Sequence, residues 1–166
     1  MKNILVYGTF DLLHPGHIYL LEEAKKLGDN LIVGVSTDEF NAIKHKSSFL
    51  AYDDRKKMVE SIKYVDKVIP EEKWDQKIDD VKKYNIDTIV MGDDWKGSDK
   101  FEYLKQYCNV VFLPKMPSLS STKFRGYVTT YVEEIEKNGD SEEKVKRIVE
   151  NNKKGWKVYE RLNKNI

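Results

Sequence analysis

Two histidines stand three residues apart near the start of this chain, in the segment Gly8-Thr9-Phe10-Asp11-Leu12-Leu13-His14-Pro15-Gly16-His17. The segment follows an apolar run, Ile4 to Tyr7, which predicts a buried strand. Gly8 predicts a sharp turn, and Pro15 suits the first turn of a helix. Two imidazoles at the positive end of a helix suit a polyphosphate, so the segment predicts a phosphate-binding turn.

A second phosphate site is predicted in the hydroxyl-rich segment Ser120-Ser121-Thr122-Lys123-Phe124-Arg125. Hydroxyls before a helix often only cap it. Capping is compatible with phosphate binding, because the free N–H groups of a helix start and the hydroxyls both suit phosphate oxygens.

Lysines and acids follow two other predicted strands. Lys44 and Lys46 come after the second strand, where a solvated loop is the usual setting for lysine and phosphates are the functional alternative. His45 between them is interpreted as incidental. Asp93 and Asp94 follow the fourth strand; adjacent acids could bind a metal, although neighbouring side chains often diverge.

Several function classes are excluded by composition and motif. A net charge of +1 gives no reason to expect affinity for nucleic acid or anionic membrane, and no apolar stretch approaches the roughly 20 residues that span a bilayer. Cys108 is the only cysteine, so neither an intrachain disulfide nor a cysteine zinc cluster can form. Neither GxGxxG nor GxxxxGK[ST] occurs, which argues against dinucleotide-binding and P-loop sites.

Strand-like runs alternate with amphipathic segments along the first part of the chain. The strands are predicted at 4–7, 31–35, 67–69, 88–91 and 110–113. This alternation predicts an α/β fold: a doubly wound, Rossmann-like parallel sheet of about five strands, with ligands beyond the carboxyl ends of the strands.

Helices are predicted between these strands. One helix has an apolar face of Ile18, Leu21, Ala24 and Leu27. The next is predicted to begin at Asp53 as its N-cap, with an inner face of Met58, Val59 and Ile62. Two more are predicted at 75–84 and 100–107.

The pattern changes towards the carboxyl terminus, where apolar residues at helical spacing predict a helical extension. Residues 1–126 are therefore assigned to one domain and 127–166 to the extension. The apolar positions of the extension are covered either by the domain or by a second subunit, and its basic excess fits either a solvated face or a polyanionic partner.

The ordered motifs of residues 1 to about 125 resemble the HxGH nucleotidyltransferase superfamily and, within it, the glycerol-3-phosphate cytidylyltransferase family. The resemblance also includes the following segments: Ser36 to Phe40, Arg55-Lys56, Tyr64 to Asp66, Trp74, Met91 to Trp95 and Ser120 to Lys123. It implies transfer of CMP from CTP to sn-glycerol 3-phosphate, with Mg2+ on the CTP phosphates.

Site residues are implied by the same resemblance. The resemblance implies catalytic roles for His14, His17 and Lys46. The residues expected to contact the nucleotide are Thr9, Phe10, His14, His17, Lys46, Lys63, Asp94, Lys115, Ser120, Ser121, Thr122 and Arg125. Those expected to contact the acceptor are Asp11, Asp38, Lys44, Arg55 and Lys77. Trp95 either packs against the nucleoside or belongs to the core.

The chain departs from the family pattern at two places. Lys63 stands where the family favours arginine, which keeps the charge but loses the planar fork that binds phosphate bidentately. Lys115-Met116-Pro117-Ser118 replaces an Arg-Thr-Glu-Gly segment. Both substitutions bear on nucleotide contacts and hence on the choice of base.

A soluble cytoplasmic protein is expected, because neither a signal-peptide pattern nor a membrane-spanning stretch is found. The resemblance implies a homodimer that supplies CDP-glycerol for a cell-wall (teichoic acid) or capsular polymer. Two other enzyme functions are open, a cytidylyltransferase for another small phosphorylated alcohol, such as phosphoethanolamine or phosphocholine, and an adenylyltransferase. A third alternative is an inactive nucleotide-binding scaffold. The retained histidines, lysines and hydroxyl segment argue against it.

Overall fold

The computed structural model describes residues 1–114, and the predictions for later residues lie outside this part of the chain. The chain divides into two units, Met1–Lys115 and Met116–Ile166. The domain boundary near residue 126 stays a prediction. Within residues 1–114, no helix has both the length and the apolar content needed to cross a membrane.

A five-stranded parallel sheet forms the centre of the first unit, in the order β3-β2-β1-β4-β5. The strands are β1 (Asn3–Gly8), β2 (Asn30–Ser36), β3 (Lys67–Glu71), β4 (Thr88–Gly92) and β5 (Asn109–Leu113). The predicted α/β Rossmann-like fold is therefore confirmed. The strand order reverses between β1 and β4, which opens a crevice at their carboxyl ends.

Five helices connect the strands: α1 (Pro15–Lys25), α2 (Asp38–Ile43), α3 (Tyr52–Glu60), α4 (Gln76–Lys83) and α5 (Asp99–Glu102). Two short 3-10 turns, Asp93–Trp95 and Tyr103–Gln106, follow β4 and α5. The helix predicted at 100–107 is thus divided into α5 and a tighter turn, and residues 38–43 form a short helix that the sequence pattern did not predict.

Side chains of β1 alternate between two apolar layers, as its pleat requires. Ile4 and Val6 pack in one layer with α1 and α3, whereas Leu5 and Tyr7 pack in the other with residues of α4 and α5. Both faces of the sheet are covered, which explains the continuous apolar runs of the central strands.

Helix α3 differs from its prediction in two details. It begins one residue before Asp53, after Ala51 as N-cap, so Asp53 lies in the first turn, where its charge complements the helix dipole. Met58 is 40% exposed and does not face the core. The buried positions of α3 are Arg55 and Val59, four residues apart on one face.

Gly34 permits the close packing of β2 against β1. A Cβ atom at this position would lie 2.4 Å from Cδ1 of Tyr7, closer than van der Waals contact allows. We expect Gly34→Ala to lower the free energy of unfolding in urea by about 1–3 kcal/mol, because Tyr7 must leave its rotamer or the strand must shift. Gly97→Asn is the control, since a Cβ there meets nothing within 4 Å and asparagine tolerates its φ of 78°. Equal stability of the two variants would contradict this prediction.

Candidate active site

The turn after β1 has a left-handed backbone at two non-glycine residues, Phe10 (φ 51°) and Leu12 (φ 48°). Such conformations are costly and often occur at functional sites. Gly8, in contrast, does not have a positive φ; a Cβ there would lie 2.8 Å from the ring of Phe10. The prediction that Gly8 makes the sharp turn is therefore wrong: Phe10 and Leu12 make it, and Gly8 leaves room for a buried ring.

The two histidines cap helix α1 reciprocally. His14 is the N-cap, and its Nδ1 accepts a hydrogen bond from the N–H of Gly16 at 3.1 Å. Nδ1 of His17 accepts from the N–H of His14 at 3.4 Å, and the two rings stack with their centroids 3.9 Å apart. This is a capping box in which imidazoles replace the usual hydroxyl and carboxylate.

The capping bonds determine the tautomer of both rings. Because each Nδ1 accepts a backbone hydrogen, a neutral imidazole must carry its proton on Nε2. Burial lowers the pKa of His14, and burial together with the neighbouring His14 lowers the pKa of His17 to about 3, against the opposing effect of Asp11. At neutral pH the turn therefore has two uncharged rings, each with an Nε2–H donor.

A second cluster of polar groups lies where β2 and β3 end. Lys77, fully buried on α4, donates to Oε1 of Glu71 at 2.8 Å. Oε2 of Glu71 accepts from the hydroxyl of Ser36 at 2.6 Å and lies 3.6 Å from the ammonium of Lys44. Lys44 also donates to Ser36 at 2.7 Å. We call these four residues the lysine cluster; it has two cations and one acid.

The charge of Lys44 is sensitive to its surroundings. Burial lowers its pKa to about 8, and the positive charges of Lys46 and Lys77 act in the same direction against the attraction of Glu71. A bound dianion would reverse this effect by favouring the charged ammonium.

Arg55 joins the turn after β1 to the end of β2. Its guanidinium is fully buried and donates to the carbonyl oxygens of Thr9 at 2.6 Å, Ser36 at 2.8 Å and Leu50 at 3.0 Å, and to Oδ1 of Asp38 at 2.6 Å. These bonds use four of its five N–H groups. The structure thus shows a positioning role for Arg55, and its contact with the acceptor stays a prediction.

Two predicted acceptor contacts, Asp11 and Asp38, hold the segment 48–52. The buried carboxylate of Asp11 accepts from the N–H groups of Phe49 at 2.9 Å and Leu50 at 3.1 Å. Asp38 accepts from the N–H of Tyr52 and from Arg55, and although burial opposes ionisation these bonds hold its pKa below the usual range. Direct substrate contact by either acid stays a prediction.

The other predicted residues at this edge of the sheet are more dispersed. The hydroxyl of Thr9 donates to Oδ1 of Asn41 at 2.9 Å. Lys46 is exposed, with its ammonium 6.0 Å from the ring centroid of Trp95. Asp94 is exposed in the turn that follows β4. Trp95 packs against Phe101 with centroids 5.1 Å apart, so it is at least partly a core residue.

Lys63 is not brought to this edge. Helix α3 runs from the carboxyl edge of the sheet towards the amino edge, and Lys63 lies between its end and the start of β3. Its exposed ammonium lies 4.9 Å from the ring centroid of Tyr64. Its predicted nucleotide contact therefore has no support from the fold of a single chain. The predicted contacts at Lys115, Ser120, Ser121, Thr122 and Arg125 lie outside the described residues.

Sequence reasoning missed Glu71 and Ser36 as members of the site. Both are the last residues of their strands, and both are buried. A buried acid at the end of an edge strand was the available signal, because a charge in that position needs a partner.

Variants of the histidines test their chemical role separately from capping. His14→Asn keeps a good capping group but removes the Nε2–H donor, and His17→Ala removes its donor outright. We expect each to lower kcat by about a hundredfold or more, the usual cost of losing a donor to transition-state charge.

The matched control is His45→Asn, because His45 is exposed and its φ of 55° suits asparagine. Far-ultraviolet circular dichroism would show whether each variant remains folded. Near-normal turnover in either HxGH variant would contradict the assigned role.

Comparisons with known proteins agree with this geometry. Residues 5–127 match the cytidylyltransferase-like family model. The chain is 55% identical over 125 residues to glycerol-3-phosphate cytidylyltransferase of Bacillus spizizenii, covering 75% of this chain and 95% of that protein. The corresponding enzyme of Staphylococcus aureus is 54% identical over 125 residues, covering 75% and 93%.

A solved structure is also similar. The lipopolysaccharide core biosynthesis protein of Thermoplasma volcanium aligns with a TM-score of 0.62 and 29% identity, covering 69% of this chain and 98% of that protein. On the combined ground of sequence, fold and site geometry, the chain belongs to the glycerol-3-phosphate cytidylyltransferase family of cytidylyltransferase-like proteins.

Proposed function

We propose that this protein transfers a cytidylyl group from CTP to sn-glycerol 3-phosphate, which forms CDP-glycerol and releases pyrophosphate. The observation that carries the proposal is the lysine cluster: one fully buried and one partly buried ammonium group share one carboxylate at the same sheet edge as the HxGH turn. The names of relatives that are 54–55% identical support the choice of nucleotide and acceptor.

The reaction needs alignment and charge stabilisation rather than a covalent protein nucleophile. An oxygen of the acceptor phosphate attacks the α-phosphorus of CTP in line, and the bond between the α-phosphorus and the bridging oxygen breaks, so that pyrophosphate leaves with the electron pair. The Nε2–H groups of His14 and His17 would donate to phosphate oxygens on which negative charge grows.

The charges of the lysine cluster suit the acceptor. With Lys44 and Lys77 protonated and Glu71 ionised, the three groups sum to one positive charge in a buried setting. A phosphate monoester would supply the missing negative charge, and Lys44 is the residue proposed to bind it directly. Lys77 is fully buried, so it acts beside Glu71 beneath the acceptor.

Magnesium is proposed to enter with CTP rather than through a protein cage. Among residues 1–114 there is no group of three or more histidine, cysteine, aspartate or glutamate side chains that could hold a metal ion. We therefore propose that Mg2+ is bound chiefly by the nucleotide phosphates. The ion would neutralise phosphate charge, while the histidines and lysines of the chain position the reacting groups.

The cellular setting is proposed from the same family relationship. We infer a cytoplasmic homodimer whose product feeds a cell-wall or capsular polymer, with CTP and a small anionic phosphorylated alcohol as its ligands. Nucleic acid is not proposed as a partner, since the net charge is only +1.

A direct assay tests the function. The purified chain with CTP, Mg2+ and sn-glycerol 3-phosphate is expected to form CDP-glycerol and pyrophosphate, detected by chromatography. ATP in place of CTP is the nucleotide control. Turnover with a different phosphorylated alcohol, but none with sn-glycerol 3-phosphate, would overturn the acceptor assignment; preference for ATP would overturn the nucleotide assignment.

The charge of Lys44 predicts a pH dependence. Below pH 8 its ammonium is charged and attracts the acceptor phosphate; above its pKa of about 8 the charge is lost. We therefore expect KM for the acceptor to rise above pH 8, while KM for CTP changes less. Lys44→Arg keeps its charge at high pH and should move this rise to higher pH. An unchanged rise in Lys44→Arg would show that another group titrates.

A further inference from the structure

Aromatic rings surround the ammonium of Lys77. It lies within 6 Å of four ring centroids: Tyr7 at 4.6 Å, Trp74 at 4.8 Å, Phe101 at 5.5 Å and Phe40 at 5.9 Å. Several aromatic faces around one point form the usual binding site for an organic cation. In this protein the occupant is a lysine of the chain itself.

Trp74 is the ring most affected, because three ammonium groups lie within 6 Å of its centroid. Lys100 is at 3.9 Å, Lys77 at 4.8 Å and Lys44 at 5.9 Å. Lys77 is fully buried and the side chain of Lys44 is only 9% exposed, whereas Lys100 is exposed on α5. Lys100 is therefore the exposed one of the three lysines around Trp74, and its ammonium lies nearest to the ring.

The acid of the lysine cluster offers no place for another cation. Oε1 of Glu71 accepts from Lys77, and Oε2 accepts from Ser36 and faces Lys44. A cation that entered this region would lose hydration and meet positive charge, with both carboxylate oxygens already bonded.

We infer that Lys100 is a specificity-determining residue: its ammonium on Trp74, backed by Lys44 and Lys77, excludes acceptors that carry a positive charge. The site then accepts a phosphorylated alcohol whose remaining groups are neutral, such as a polyol phosphate, and rejects phosphoethanolamine and phosphocholine. This inference rests on the proposed function, because it assumes that the acceptor binds beside the lysine cluster.

The test compares acceptors in Lys100 variants of the full-length protein. The quantity measured is the ratio of kcat/KM for phosphocholine to kcat/KM for sn-glycerol 3-phosphate. We expect Lys100→Ala to raise this ratio about threefold and Lys100→Glu about tenfold, as a cation gains the Trp74 face and loses a repelling charge. The change should appear mainly in KM for phosphocholine, with KM for CTP unaltered.

Two controls separate charge from side-chain removal. Lys100→Arg keeps the charge over the ring and should leave the ratio unchanged. Lys82→Ala removes an exposed lysine of α4 whose ammonium lies 6.0 Å from the Tyr107 ring centroid, and it should also have no effect. A ratio that stays at the wild-type value in both Lys100→Ala and Lys100→Glu would overturn the inference.

Binding measurements distinguish failure of the inference from failure of the proposed function. Phosphocholine is titrated calorimetrically into the wild-type protein and into Lys100→Glu without CTP. Tighter binding to the variant supports the inference even if neither acceptor is turned over, and equal binding contradicts it. Absence of CDP-glycerol formation by the wild type would contradict the proposed function alone.

Discussion

The reciprocal capping of His14 and His17 is the interaction on which the site depends. Two hydrogen bonds to Nδ1 atoms determine where helix α1 begins and which nitrogen of each ring carries the proton. They also explain the three-residue spacing, because a capping box joins the N-cap to the third residue of the helix. One pair of contacts therefore serves both folding and the proposed chemistry, and the helix dipole favours an anion at this position.

Neutral hydrogen-bond donors and charged side chains lie at the same edge of the sheet. The histidines are neutral donors, a state that suits their proposed role of stabilising charge as it develops without binding the ground state too strongly. With Lys44 protonated, the lysine cluster carries a net positive charge, partly balanced by Glu71, and is proposed to hold the acceptor phosphate. The histidines lie at the start of α1, whereas the two lysines lie at the end of α2 and on α4, so the proposed contacts with the two reactants come from different elements.

The fold and the start of helix α1 at the two histidines could be predicted from the sequence, because strand periodicity and helix-start signals are local. The roles of Arg55 and Lys77 could not, since each looks like a surface charge until tertiary contacts bury it. Lys63 shows the opposite case: its motif position indicated the site, but the direction of α3 places it at the other edge. The left-handed turn at Phe10 and Leu12 also has no local signal, because neither residue favours positive φ.

The bonds of Arg55, Asp11 and Asp38 have a consequence for how the protein opens. The segment 48–52 has little regular structure, yet three of its N–H groups donate to carboxylates. Those of Phe49 and Leu50 donate to Asp11, which follows β1, and that of Tyr52 donates to Asp38 of α2, which also accepts from Arg55. Releasing this loop would break three backbone hydrogen bonds to carboxylates and the bond from the buried guanidinium of Arg55 to the carbonyl oxygen of Leu50. The amide hydrogens of Phe49, Leu50 and Tyr52 are therefore expected to exchange with solvent slowly for residues in or beside a loop.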